Sequence, residues 1–209
     1  MSSTKPAVTV YSDYVCPFCY LGRTSLSRYQ QTRETALRID WRPFDLRSQK
    51  RRPDGTIDHA VDDGKDDAYF EQAKQNVRRL AEKYGAEMEI EIATDIDSLP
   101  AQMLSYYLRE HHDYETWLAF DEEVFSALWE NGRDIGDRDV LIELAEVAGI
   151  DAEEVHSALD DETLREELRR QFSEARTQGI SGVPTFAYDG HVARGAVPPE
   201  QLERLVEGV

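Results

Sequence analysis

Two cysteines occur in the 209 residues, and they lie three apart as Cys16-Pro17-Phe18-Cys19. Two cysteines scattered at random in a chain this long adopt that spacing about once in a hundred. What surrounds them narrows the fold further. Residues 7–12 (Ala-Val-Thr-Val-Tyr-Ser) form a β-branched and aromatic run that reads as a strand. A helix is expected from Pro17 to about Arg33, because proline suits a first helical position and Leu21, Gly22, Ser25, Leu26 and Tyr29 repeat on one face. Leu37, Ile39 and Trp41 then alternate with charged residues in a second strand, stopped by Pro43. The chain therefore opens strand, helix, strand, with the dithiol at the strand-to-helix turn.

Residues 48–65 are polar, carry Pro53-Asp54-Gly55 and Asp62-Asp63-Gly64, and read as an extended loop. The pattern is helical for the next hundred or so residues. Six helical faces follow, among them one started by Asp137 and one for which Asp151 and Glu154 suggest a capping box. Trp117, Trp129, Phe125 and Tyr107 read as core of this helical part. Residues 185–188 and 191–193 flank Asp189-Gly190, a two-residue hairpin turn, and Pro198-Pro199-Glu200 opens a last helix. The expected class is α/β, with 1–48 and 162–209 as one unit and 49–161 as an inserted helical domain.

The dithiol has a definite chemistry at such a turn. Unpaired N–H groups and the positive end of the helix dipole favour a thiolate at Cys16, the species that acts as nucleophile. Cys19, one helical turn on, is placed to attack a mixed disulfide held by Cys16 and release its partner. A zinc site would need four ligands, and His59, His111, His112, His156 and His191 lack the usual spacing, so no metal is expected. A buried, inert pair is the plain alternative. Asp13 reads as capping the turn, or else as perturbing Cys16. Tyr14 and Phe18, with Pro17, flank the pair as a candidate apolar rim for substrate, the alternative for both rings being plain packing. Gly182-Val183-Pro184-Thr185-Phe186 supplies a Val-Pro step before a late strand. In a redox domain of this topology a cis bond there would sit opposite the cysteines and offer the Val183 backbone to an extended substrate.

Acidic residues outnumber basic ones 42 to 24, and only 5 of the basic residues are lysine. That balance argues against nucleic acid or anionic membranes as partners. Excess carboxylates with scarce lysine are also expected of a protein adapted to a high-salt cytoplasm. No apolar stretch approaches the roughly 18 residues of a spanning helix. Residues 1–6 lack a basic segment leading into an apolar one, so no secretory signal is expected there and the location expected is cytoplasmic.

Cys-Pro-Phe-Cys-Tyr-Leu-Gly at 16–22, Trp41-Arg42-Pro43-Phe44-x-Leu46, Gly-Val-Pro-Thr-Phe at 182–186 and Gly195-Ala196 resemble the DsbA family of thioredoxin-fold proteins, particularly its FrnE-like branch. The resemblance spans essentially the whole chain. It implies a thioredoxin-like fold with a helical insertion, Cys16 as attacking thiol, Cys19 as resolving thiol and Pro184 as the cis-proline. Phe18 stands where DsbA itself has a histidine, so strong oxidase behaviour is not expected. Glutathione-dependent isomerases of small aromatic acids share the layout but carry serine at the first cysteine's position. The function expected is a cytoplasmic thiol–disulfide oxidoreductase acting on protein or small-molecule disulfides. No cofactor is expected beyond glutathione as a co-substrate, and relatives make a homodimer conceivable. The alternatives are a glutathione-dependent isomerase or transferase, and a non-catalytic peptide-binding module.

Overall fold

The computed structural model describes residues 6–208, so the readings made on residues 1–5 lie outside it. Strand β1 (Ala7–Ser12) leads through a tight turn into helix α1 (Pro17–Gln31), which returns the chain to strand β2 (Arg38–Pro43). β1 and β2 pair in parallel with Val8 opposite Ile39 and Val10 opposite Trp41. Parallel neighbours need a crossover, and α1 supplies it. Arg38 and Phe44 donate to the Pro6 and Ser12 carbonyls across this ladder, so the odd-numbered residues of β2 turn their amides outward. Pro43 thus ends the strand from within, at a position where no N–H is needed. The outer edge of β2 is covered rather than free. The Ile39 N–H donates to the Tyr114 hydroxyl, and the Arg109 guanidinium donates to the Trp41 carbonyl.

Six helices follow: α2 (Asp67–Tyr84), α3 (Leu99–His111), α4 (Tyr114–Trp129), α5 (Arg138–Val147), α6 (Ala152–Leu159) and α7 (Glu162–Thr177). Four of them begin on an aspartate, Asp66, Asp113, Asp137 and Asp161, whose carboxylate accepts a first-turn N–H. The capping box expected at Asp151 does not form. Asp151 occupies the N-cap position of α6, but its side chain makes no capping hydrogen bond. Residues 48–65 are more ordered than an extended loop. They contain a 3-10 turn (Ser48–Lys50) and a bridge between Arg51 and Ile57. Arg51, nearly buried, ties the segment down through Asp45 at 2.9 Å and Asp97 at 3.0 Å.

Strands β3 (Thr185–Tyr188) and β4 (His191–Arg194) form the expected hairpin, and α8 (Pro199–Glu207) closes the chain. Asp189 and Gly190 both have positive φ, 46° and 80°, the backbone that a two-residue hairpin turn requires. β3 runs antiparallel to β1, giving the sheet order β2-β1-β3-β4. This is an α/β architecture with a helical middle. One continuous apolar core joins the two parts, with Trp41 of the sheet in the same cluster as Trp117, Phe120 and Phe125 of α4.

Candidate active site around a buried dithiol

β1 ends at Ser12 and the next four residues make the turn that presents the cysteines. The Cys16 amide donates to the Asp13 carbonyl (3.1 Å), and the amides of Cys19 and Tyr20 donate back to the Cys16 carbonyl. Cys16 is the N-cap of α1, with extended φ and ψ of −92° and 112°. No first-turn acidic residue of α1 offsets the positive end of the helix dipole there. Both thiols are free. Cys16 retains 5 % of its surface and Cys19 none, so a reagent from solvent meets Cys16 first. Burial, and then the hydrogen bond to Cys16, push the Cys19 thiol well above its ordinary range.

The late strand closes the other side. The Cys16 Sγ lies 3.6 Å from the Val183 carbonyl, to which the thiol donates, and the Val183–Pro184 bond is cis. Pro184 is buried and packs on α1 at Gly22, where an added Cβ would stand 3.1 Å from the proline Cγ and 3.0 Å from the Phe186 ring. Gly22 is therefore what lets α1 approach the Val-Pro step, a role its place on an apolar helical face did not reveal.

Of the residues expected around the site, Cys16, Cys19, Val183 and Pro184 come together. Phe18 and Val183 stay partly exposed, and Val183 and Leu46 each pack against the cluster of Tyr11, Phe44, Ala175 and Ile180. Phe18 packs against the buried cluster of Leu21 with Val77, Ala81 and Tyr84 of α2. Two expectations need correction. Tyr14 is 1 % exposed and points under α4, where its hydroxyl lies 2.9 Å from Asp121 Oδ1 and 2.7 Å from Ser105 Oγ. Its carbonyl accepts the Trp129 indole N–H at 2.8 Å. A side chain so enclosed anchors the turn and cannot line a substrate rim. Pro17 is likewise buried, in the first turn of α1, rather than standing out as a rim residue.

Asp13 does more than a turn cap. Fully buried, it accepts the Val15 N–H on Oδ1 (3.3 Å) and the Leu46 N–H on Oδ2 (2.9 Å). Burial raises its carboxyl to about 6, against the lowering effect of these hydrogen bonds. Its neighbours Asp45, Leu46 and Ser98 come from segments more than thirty residues away, and no local pattern announces them. Among the described residues no group of three or more histidine, cysteine, aspartate or glutamate side chains is arranged to hold a metal. No helix of the described residues is long and apolar enough to cross a membrane.

The sequence model of the DSBA-like thioredoxin domain matches residues 7–207. An uncharacterised Bacillus subtilis protein, YwbO, is 30% identical over 207 residues, which is 95% of this chain and 94% of that protein. Among solved structures, a probable DsbA oxidoreductase from Streptomyces coelicolor is 23% identical with a TM-score of 0.77, over 97% of this chain and 88% of its own. A 2-hydroxychromene-2-carboxylate isomerase is 21% identical with a TM-score of 0.75, over 94% and 92% of the two chains. Both structures are similar in fold.

Proposed function

The chain belongs to the DSBA-like thioredoxin domain family, and from that premise we propose that it is a cytoplasmic thiol–disulfide oxidoreductase working through Cys16 and Cys19. The observation that carries the reading is the Cys16 thiol at the N-cap of α1, 3.6 Å from the Val183 carbonyl, with a second, sealed thiol one turn behind it. The Cys16 thiolate attacks one sulfur of a substrate disulfide; a Cys16–substrate bond forms and the other substrate sulfur leaves as thiolate. Cys19 then attacks Cys16, forming the internal disulfide and freeing the second substrate thiol. The substrate loses its disulfide and gains two electrons, and a thiol reductant such as glutathione returns the enzyme to the dithiol. Val183 offers its backbone to the strand carrying the substrate sulfur, and Phe18 and Leu46 give that strand an apolar border.

The excess of 42 acidic over 24 basic residues, with only five lysines, supports a protein that works in concentrated salt. The decisive experiment compares insulin disulfide reduction by wild type, Cys16→Ser and Cys19→Ser. Cys16→Ser is expected to be inactive, and Cys19→Ser to accumulate mixed disulfide. Equal activity in wild type and Cys16→Ser overturns the assignment.

A glutathione-dependent isomerase or transferase is the second reading, favoured by the likeness in fold to 2-hydroxychromene-2-carboxylate isomerase. It requires activity on a small aromatic acid that survives Cys19→Ser. A second thiol sealed directly behind the first supports dithiol exchange instead.

A further inference from the structure

The peptide that joins Tyr14 to Val15 is tied on both sides. Its carbonyl accepts the Trp129 indole N–H at 2.8 Å, and its N–H donates to Asp13 Oδ1 at 3.3 Å. A peptide unit is planar and trans, so a bond that fixes the oxygen also fixes the N–H opposite it. Trp129 is the last residue of α4, enclosed in the core, 115 residues beyond Tyr14. Its own carbonyl accepts the Glu89 N–H. The Tyr14 side chain reaches the same helix, with its hydroxyl on Asp121 and its ring edge-on to Phe125 at 4.8 Å. Of these contacts with α4, the indole bond alone holds the backbone of the turn.

That carbonyl has another potential donor. Counting along the chain, the oxygen of residue 14 is the i→i−4 acceptor of the Phe18 N–H, the bond that would carry α1 back by one turn. In this structure the Phe18 N–H has no acceptor among the described residues. A side chain at an N-cap takes its hydrogen bond from the N–H two or three residues on. For Cys16 these belong to Phe18 and Cys19, and the Cys19 N–H already donates to the Cys16 carbonyl. Phe18 therefore supplies the donor that remains for a charged Cys16 sulfur. Pro17 disfavours helical backbone at Cys16, but kinked helices show that this preference can be overcome. A buried Tyr14 carbonyl stripped of its indole would supply the drive.

We infer that Trp129 is a positioning residue for the dithiol: by holding the Tyr14 carbonyl, its indole leaves the Phe18 N–H for the Cys16 sulfur. The inference rests on the dithiol reading above and deepens it, because it makes the reactivity of Cys16 depend on a helix of the inserted part. Trp129 touches neither thiol nor substrate and acts through the turn.

Trp129→Phe removes the indole N–H, and Trp117→Phe is its control. Trp117 is equally enclosed on α4, and its indole donates to Ser105 rather than to the turn. Two readouts are compared in the reduced proteins: iodoacetamide alkylation of Cys16, and amide hydrogen exchange followed residue by residue by NMR. In Trp129→Phe, alkylation is expected to slow about tenfold, and exchange at the Phe18 amide to slow by about as much as Tyr14 captures it. In Trp117→Phe both rates stay within about twofold of wild type. A merely structural role predicts the opposite sign at Phe18, because a loosened turn exchanges faster. Faster Phe18 exchange, unchanged alkylation, or equal slowing of alkylation in the two variants overturns the inference. Should Trp129→Phe fail to fold, the wild type decides. There the Phe18 amide is expected to exchange freely and the Trp129 indole slowly, and a Phe18 amide as protected as that of Tyr20 overturns the inference. Neither readout needs a substrate disulfide, so insulin reduction by wild type and Cys16→Ser tests the dithiol reading separately.

Discussion

Asp13 carries a pH-dependent cost in stability, because its carboxyl is fully buried. Its carboxyl titrates near 6 when folded, against about 3.9 in an unfolded chain. The folded state holds the proton more tightly, so the stabilisation is full below about pH 4 and is lost as pH rises through about 6. A gap of about two pH units corresponds to about 3 kcal/mol. Urea unfolding of wild type and Asp13→Asn at pH 4 and pH 7 is expected to show the wild type losing about that much more over the interval. Parallel pH slopes in the two proteins would contradict it. Gly22 is the other residue on which the site turns. A methyl group there meets the Pro184 ring and the Phe186 side chain at 3.1 and 3.0 Å. Gly22→Ala is expected to cost about 1–3 kcal/mol in chemical denaturation and to slow alkylation of Cys16 by shifting α1 from the Val-Pro step.

Among the elements, the turn after β1 and helix α4 are bound more tightly than their separation along the chain suggests. Tyr14 joins them through Asp121, and Asp121 is held in turn by Arg23 of α1 at 2.5 Å. The Trp117 indole donates to Ser105, completing an enclosed polar set beneath the dithiol turn. Asp121 sits above the usual carboxylate range because burial outweighs its bond to Arg23. Arg23→Gln strands that carboxylate and is expected to destabilise the protein by about 3–5 kcal/mol near neutral pH. The loss shrinks toward acid, where Asp121 takes up a proton. Thermal melts across pH test this, and a loss independent of pH counts against it.

These contacts also mark where one-dimensional reading ends. The β1–α1–β2 unit was legible from the β-branched and aromatic run in residues 7–12 and the alternation in 37–42, and the hairpin from Asp189-Gly190. Both signals live within ten residues. One helix start was legible as an aspartate, Asp137, but Asp151 offers a similar signal without the bond, because a capping position does not dictate a side-chain rotamer. Tyr14 looked like a rim residue from its nearness to Cys16. Its true partners, Ser105 and Asp121, lie 91 and 107 residues on, and no local periodicity encodes such pairings. The pairing of Cys16 with Val183, 167 residues apart, was reached only through topology and resemblance.

For the whole molecule, the net charge of −18 is a source of self-repulsion that salt relieves. Raising KCl from 0.1 to 3 M is expected to increase the melting temperature by about 10 °C or more, the effect of a few kcal/mol in a chain of this size. A melting curve indifferent to salt removes the salt-adapted reading. The apolar core runs unbroken from Trp41 of the sheet to Trp117 and Phe125 of α4. Unfolding in guanidinium is therefore expected as one transition, superimposable by tryptophan fluorescence and far-UV circular dichroism. Two separated transitions would show that the core is divided.

That unbroken core has a consequence for clients. Its two halves share aromatic rings, so they cannot swing apart like jaws around a bulky, rigid partner. Accommodation has to come from the visitor. Under the dithiol reading proposed above, a disulfide in a slack or partly unravelled polypeptide is expected to react faster with Cys16 than one locked inside a finished globule.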